Sequence, residues 1–276
     1  MRTLFKVLSI VPLFVLHGLG WVLGWAAFLL SASYRNRLMS NARQADVSTK
    51  AVLASVGAAG QLVVELARLW FGAPVPVRWD GDALVEDALA SGKGIIFLTP
   101  HLGCFEVTAQ AYAKRFGQHG SPITVLFRPP RQPWLRPLVE SSRKRPGLQT
   151  APTTLAGVKQ MVRALKRGEC VGLLPDQVPP LGLGIWAPFF NRDAYTMTLS
   201  ARLAAQTGAM VLLAWGERLS WGRGYIVHFE SLDLQPSEEI SSAVSGINAA
   251  MERLILKAPH QYLWGYARYK QPAQVA

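Results

Sequence analysis

The sequence is poor in cysteine and lacks the motifs that hold metals or nucleotides. It has two cysteines, Cys104 and Cys170, too few for a disulfide framework and not spaced with histidines as in a zinc site. This predicts reduced thiols in a reducing compartment. Neither a glycine-rich phosphate loop nor a metal-ligand spacing is present. We therefore expect no metal and no cofactor.

Acidic residues are also scarce. The chain has 17 Asp and Glu against 29 Lys and Arg, a formal net charge of +12. Such a surplus favours polyanionic partners: nucleic acids, anionic lipid headgroups or an acidic carrier protein. The sequence carries no nucleic-acid recognition motif, so nucleic acid is not the expected partner.

Charge is nearly missing from the N-terminal segment. Between Lys6 and Arg35 there is no Asp, Glu, Lys or Arg, a run longer than the roughly 20 residues that cross a bilayer as a helix. We predict a membrane anchor over residues 1–34 and a folded domain over 35–276. A cleaved signal peptide is the alternative, but the run exceeds the usual apolar core of about 7–15 residues. Basic residues flank both ends and leave the orientation open; the reduced thiols favour a domain on the cytoplasmic face.

Short apolar segments alternate with amphipathic ones along the rest of the chain. This alternation predicts an α/β fold, a mixed, mostly parallel sheet flanked by helices. Strands are predicted at 75–80, 94–99, 123–127, 170–174, 210–216 and 225–230. Helices are predicted at 45–71, 82–91, 104–116, 133–144, 153–167, 196–207 and 237–257.

The most informative segment is 94–106, where His101 follows a buried strand. Ligands bind at the carboxyl ends of parallel strands. On one continuous helix, His101 and Glu106 would lie about 140° apart, so they can meet only if His101 sits in the turn before the helix. An imidazole can take a hydroxyl proton, and a carboxylate on its other ring nitrogen would fix the tautomer. The alternative is a histidine at a strand end beside an unrelated glutamate.

Several motifs occur in one order along the chain: PHLGCFE at 100–106, FRPP at 127–130, LLPDQ at 173–177, APFFNRDAYTMTLSARLAAQTGA at 187–209 and QYLWGYARYK at 261–270. Together with the apolar N-terminus they resemble the bacterial lipid A biosynthesis acyltransferases, the lauroyl and myristoyl transferases. That family is similar to the broader glycerolipid acyltransferases, which share an H-x4-D/E motif. The resemblance covers nearly the whole chain.

The resemblance implies an enzyme that transfers a fatty acyl chain from acyl carrier protein to a hydroxyl of a lipid A precursor or similar glycolipid. His101 would be the general base and Glu106 its orienting partner. Arg128 would stabilise the oxyanion or hold an acceptor phosphate. Asp176 and Gln177 follow the predicted strand 170–174, on the same expected sheet edge as His101. They would bind the acceptor or position Arg128, or only form the turn after the strand. The resemblance also implies the inner membrane as the location.

Other residues are open to two interpretations. Phe189 and Phe190 line an acyl channel or simply pack in the core. Cys104 is a covalent nucleophile or, as we favour, a small core residue. A basic cluster would dock the carrier protein or lipid phosphates, or is only a solvated surface. It includes Arg131, Arg143, Lys144 and Arg145.

One departure from the family concerns the acceptor. Asn191 stands after the paired phenylalanines, where the family usually has glycine, and this puts the identity of the acceptor in doubt. The alternatives are a lysophospholipid or other lipid acyltransferase, or a membrane-bound thioesterase or lipase. A lipase would usually carry a G-x-S-x-G elbow, which this sequence lacks.

Overall fold

The structure, a computed structural model, describes residues 2–127, 132, 139, 142, 145–234 and 239–274. Its centre is a seven-stranded sheet in the order β1-β9-β8-β2-β5-β3-β4, parallel except for the β8–β9 pair. A separate hairpin is formed by β6 and β7. The strands are β1 Val77–Asp80, β2 Ile95–Leu98, β3 Ile123–Phe127, β4 Leu148–Pro152, β5 Cys170–Leu173, β6 Gly184–Phe189, β7 Arg192–Met197, β8 Met210–Arg218 and β9 Tyr225–Leu232. The predicted mostly parallel α/β sheet is confirmed.

Helices cover both faces of the sheet. They are α1 Arg2–Ile10, α2 Leu13–Leu30, α3 Ala32–Gln44, α4 Thr49–Phe71, α5 Asp82–Ala90, α6 Phe105–Arg115, α7 Leu155–Lys166, α8 Leu199–Thr207 and α9 Ile240–Lys257. The central strands are apolar on both sides because each face is covered. Ile96 and Leu98 of β2 belong to one buried cluster, whereas Ile95 and Phe97 belong to the other.

The N-terminal apolar run is divided into two helices. Pro12 lies between α1 and α2, as expected of a residue that disfavours helical backbone before it. Helix α2 is long and apolar enough to be a membrane anchor, and α4 is also long and apolar enough to cross a membrane. The exposed apolar side chains of α2 are Phe14, Val15, Leu19, Trp21, Val22, Leu23, Leu29 and Leu30.

Helices α2 and α4 pack closely along a seam of glycines. A Cβ on Gly24 would collide with the carbonyl oxygen of Val56, and one on Gly60 with that of Gly20. Small residues allow two helix backbones to approach in this way. The predicted helix at 45–71 begins at Thr49, where the Ser48 side chain accepts a hydrogen bond from Ala51 N at 3.4 Å. The predicted helix at 133–144 lies mostly outside the described residues.

Candidate active site

A tight turn carries His101 from β2 toward α6. Gly103 in this turn has φ +59°, and a Cβ there would collide with the carbonyl oxygen of Gly216 on the neighbouring strand β8. The next amide, Cys104 N, donates to Gly216 O at 2.7 Å, and Leu263 N donates to His101 O at 3.2 Å. Glycine is therefore required here, and the turn is held against β8.

Both ring nitrogens of His101 have partners from the end of the adjacent strand β5. Nδ1 lies 2.8 Å from Asp176 Oδ1, and the other carboxylate oxygen accepts from His101 N at 2.8 Å. Nε2 lies 3.0 Å from Gln177 Nε2. When Nδ1 donates to Asp176, the lone pair on Nε2 accepts from the Gln177 amide. This tautomer leaves Nε2 as the basic atom.

Asp176 is almost fully buried, with 2% of its surface exposed. Burial favours the protonated carboxyl, but the attraction and hydrogen bonds of His101 outweigh it and hold the pKa of Asp176 below its ordinary value. The carboxylate is therefore charged at neutral pH. A charged group there can stabilise a protonated imidazole.

Glu106 lies in the first turn of α6 and is directed toward α4, where Trp70 Nε1 donates to its Oε1 at 3.1 Å. The expectation that Glu106 would hold the second ring nitrogen of His101 therefore differs from the structure, where Asp176 makes that contact. The physical reason is that α6 begins only at Phe105. The extra turn residues direct Glu106 away from the ring. Its catalytic role stays a prediction.

His101 and Glu106 line two different cavities. The larger, of about 370 Å³, has a polar end at His101, Asp176 and Gln177 and an apolar side formed by α2 and α4. The smaller, of about 70 Å³, runs into the core from Glu106. Phe105 lines the smaller cavity and packs edge-on against the His101 ring at 4.9 Å between centroids. Phe105 thus lies between the smaller cavity and the His101 ring.

The C-terminal segment 261–270 also borders the site, although the residue chemistry did not single it out. Tyr262 and Tyr266 line the larger cavity, and Tyr266 Oη accepts a hydrogen bond from Val178 N at 3.0 Å. Arg268, 3% exposed, donates to Tyr195 O at 2.7 Å. The only signal for this segment was its family motif.

Phe189 and Phe190 are buried in the core, where Phe190 packs against Trp264. They line neither cavity at His101 and Glu106, but a third one of about 10 Å³ that shares Tyr262, Leu263 and Tyr266 with the His101 cavity. Their acyl-channel role stays a prediction. Asn191 has φ +57° in the tight β6–β7 connection. Asparagine tolerates this left-handed conformation better than most residues other than glycine. The departure from glycine therefore has a conformational explanation.

The predicted basic cluster is only partly described. Arg128, Arg131, Arg143 and Lys144 lie outside the described residues. Arg145 Nη2 donates to the carbonyl oxygens of Leu69 and Trp70 at 2.6 and 3.0 Å, at the end of α4. Burial lowers the pKa of Arg145, although the nearby Glu106 carboxylate opposes this effect. A cation at a helix C-terminus is favourable, so Arg145 has a structural role besides any docking role.

Comparison with known proteins decides the family. The model of the bacterial lipid A biosynthesis acyltransferase family matches residues 3–271. The chain belongs to this family. It is therefore an acyltransferase, as the resemblance implied.

Curated relatives agree with the assignment of this acyltransferase. Lipid A biosynthesis lauroyltransferase of Escherichia coli K12 is 26% identical over 227 residues, 80% of this chain and 72% of the relative. Lipid A biosynthesis palmitoleoyltransferase of the same organism is 24% identical over 232 residues, 82% of this chain and 73% of the relative. A lipid A biosynthesis acyltransferase of Haemophilus influenzae is 23% identical over 181 residues, 65% of this chain and 55% of the relative.

Proposed function

We propose that this acyltransferase moves a fatty acyl chain from acyl carrier protein to a hydroxyl of a lipid A precursor or similar glycolipid. The names of its relatives support the acceptor class. The observation that carries the mechanism is the Asp176–His101 contact at 2.8 Å, in the lining of a cavity that two apolar helices wall on one side. A histidine held in this way is suited to act as a general base.

In the proposed reaction, the acceptor hydroxyl displaces Gln177 from His101 Nε2. The hydroxyl proton passes to Nε2 while its oxygen attacks the thioester carbonyl. The C–O bond forms and the C–S bond then breaks, and the imidazolium returns its proton to the leaving thiolate. Asp176 stabilises the imidazolium between these steps. General-base catalysis of this kind contributes about 10²- to 10⁴-fold to the rate.

The two cavities suit two different substrate parts. The larger combines hydrogen-bonding groups with an apolar wall and fits an amphipathic glycolipid, whose hydroxyl must reach His101. The smaller is lined mostly by apolar side chains, and at about 70 Å³ it would take up only part of the donor's acyl chain. We keep Glu106, at the edge of the smaller cavity, as a catalytic residue whose carboxylate would lie near the thioester. Phe105 would separate the substrates until they react.

Charge and hydropathy support the proposed donor and location. A net charge of +12 favours association with an acidic carrier protein and with anionic headgroups. The apolar α2 supports attachment to the inner membrane, where a glycolipid acceptor is delivered by lateral diffusion. We place the catalytic domain on the cytoplasmic face, consistent with two free, buried cysteines.

The test is product identification with the detergent-purified full chain. We expect mass spectrometry to show one acyl chain added to a lipid A precursor when acyl carrier protein is the donor. Acyl coenzyme A in place of the carrier, and a lysophospholipid in place of the glycolipid, serve as comparison substrates. Release of free fatty acid at the same rate with and without the glycolipid would contradict the proposal, because water would then be the acceptor.

A further inference from the structure

A buried carboxylate interrupts the apolar helix α4. Glu65 is the only acidic residue between Thr49 and Phe71 and is fully buried. A buried charge is strongly unfavourable unless it is paired and hydrogen-bonded. Its presence in a helix otherwise suited to a membrane therefore calls for a function.

Glu65 is held by three residues from different parts of the chain. Arg218, at the end of β8, donates through Nε to Oε2 at 2.8 Å and through Nη2 to Oε1 at 2.5 Å. Tyr225 Oη donates to Oε2 at 2.8 Å, and His17 Nε2 of α2 lies 3.0 Å from the same oxygen. The contact of Arg218 with both carboxylate oxygens is bidentate, the strong arrangement of an arginine–carboxylate pair. We call these four residues the Glu65 network.

The same guanidinium also reaches the turn that carries His101. Arg218 Nη2 donates to Gly103 O at 3.3 Å. Gln261 reinforces this arrangement from the other side: its side chain bonds Arg218 N and O at 2.9 and 3.1 Å, and its carbonyl oxygen accepts from Gly103 N at 3.0 Å. Gly103 is two residues from His101. The turn is therefore connected by hydrogen bonds to both apolar helices.

We propose that Glu65 and Arg218 are positioning residues, which hold the 101–104 turn at a fixed place relative to the helix pair that walls the His101 cavity. Gly24 and Ala27 of α2 and Gly60 of α4 line this cavity opposite His101. A lipid lying against the helices would thereby meet the imidazole at a constant distance. This inference rests on the proposed function for its catalytic readout, but its structural readout is independent of any activity.

The experiment replaces both partners at once, because removing one partner alone leaves a buried charge uncompensated and endangers folding. The variant is Glu65→Gln with Arg218→Met. Its control carries the corresponding substitutions in an exposed ion pair, Glu230→Gln with Lys257→Met, whose atoms are 2.6 Å apart. Both are made in the full chain and compared with the wild type.

The chain contains its own reporters of turn opening. Cys104 lies in the turn, and Cys170 lies in the sheet core on β5; both are fully buried. Burial raises the pKa of both thiols, to about 12 for Cys170, and the Glu65 carboxylate raises that of Cys104 further, so alkylation is slow while the fold is closed. Alkylation rates are therefore measured across pH, which separates a changed pKa of Cys104 from opening of the turn. Mass spectrometry of the two peptides separates local opening at Cys104 from loosening of the whole domain at Cys170.

In the Glu65→Gln, Arg218→Met variant we expect alkylation of Cys104 to accelerate several-fold while Cys170 stays protected. We also expect kcat to fall about 10- to 100-fold, as displacement of a catalytic group predicts, with little change in the KM for the glycolipid. The control should match the wild type. Equal acceleration of both thiols, unchanged alkylation of Cys104 or a normal kcat would overturn the proposal. Absence of transfer by the wild type would count against the proposed function, and Cys104 alkylation would still decide whether the network holds the turn.

Discussion

Two buried carboxylates flank the turn that carries His101, and they have different surroundings. Asp176 contacts the imidazole, and the side chain of His101 is 16% exposed and faces a cavity. Glu65 contacts a guanidinium that is itself buried, with 4% of that side chain exposed. Burial opposes the charge of Arg218, but Glu65 outweighs this effect and raises the pKa of Arg218 above its ordinary value. The first pair can exchange a proton with a ligand, whereas the second cannot.

The comparison shows how similar ion pairs serve different purposes. A pair with a titratable partner beside a cavity is suited to chemistry. A pair whose cation never loses its proton and has no access to a cavity fixes geometry instead. The distinction depends on where the cationic partner faces rather than on the carboxylate. It leads to predictions that differ for the two sides of the turn.

The largest effect is expected at Asp176. Asp176→Asn keeps the size of the side chain but removes the charge that stabilises an imidazolium and selects the tautomer. We expect kcat to fall about 10²- to 10⁴-fold, with the variant folded and its melting temperature only slightly below that of the wild type. Steady-state kinetics with thermal unfolding as the folding control checks this. A kcat within a few-fold of the wild type would show that Asp176 does not assist the chemistry.

A substitution at Glu106 tests whether a third carboxylate takes part in acyl transfer. Glu106→Ala should lower the transfer rate by about 10- to 100-fold if the carboxylate acts near the thioester. The control is Trp70→Phe, which removes the indole donor to Glu106 Oε1 and keeps the carboxylate; it should cost much less activity. A near-normal rate for Glu106→Ala would mean that Glu106 is structural.

Reversal of charge at Arg143, Lys144 and Arg145 should act on donor binding rather than on chemistry. We expect the KM for the acylated carrier to rise and kcat to change little, with the difference shrinking as salt screens the charges. Arg145→Glu alone is measured beside the triple variant, because Arg145 also bonds the end of α4. It shows how much of the effect comes from that structural contact rather than from docking. An unchanged KM for the carrier in the triple variant would exclude docking at this cluster.

The smallest effect concerns acid stability. The folded-state pKa of Asp176 lies below its ordinary value of 3.8, so the stability from its charge is present above that pH. It is lost as pH falls through the lowered pKa. The gap in melting temperature between wild type and Asp176→Asn should therefore narrow below about pH 3.8. A gap that is constant down to strongly acidic pH would show that the charge contributes nothing.

Local patterns in the sequence predicted much of the fold and the place of His101. The apolar segment before His101 forms β2, and the turn with Gly103 follows as expected. Strand β4 was missed because Leu148–Pro152 contains polar residues and a proline, which are unusual in a strand. The β6–β7 hairpin was missed because its turn uses Asn191 rather than a glycine.

The partner of His101 could not be predicted by spacing. Asp176 is 75 residues away, and it reaches the ring only because β5 lies beside β2 in the sheet. Glu106 is close in sequence, but its direction depends on the residue at which α6 begins. The Glu65 network joins four separate segments. Contacts of this kind depend on strand order and helix packing, which a single sequence does not encode in any local pattern.

The central claim is that the imidazole of His101 takes the proton of the lipid hydroxyl. Its most direct test is the rate of acyl transfer by His101→Ala, measured at saturating donor and glycolipid, with thermal unfolding to establish that the variant is folded. We predict a loss of at least about 10²-fold in kcat, with substrate binding retained. A folded variant that transfers acyl chains at the wild-type rate would contradict the account.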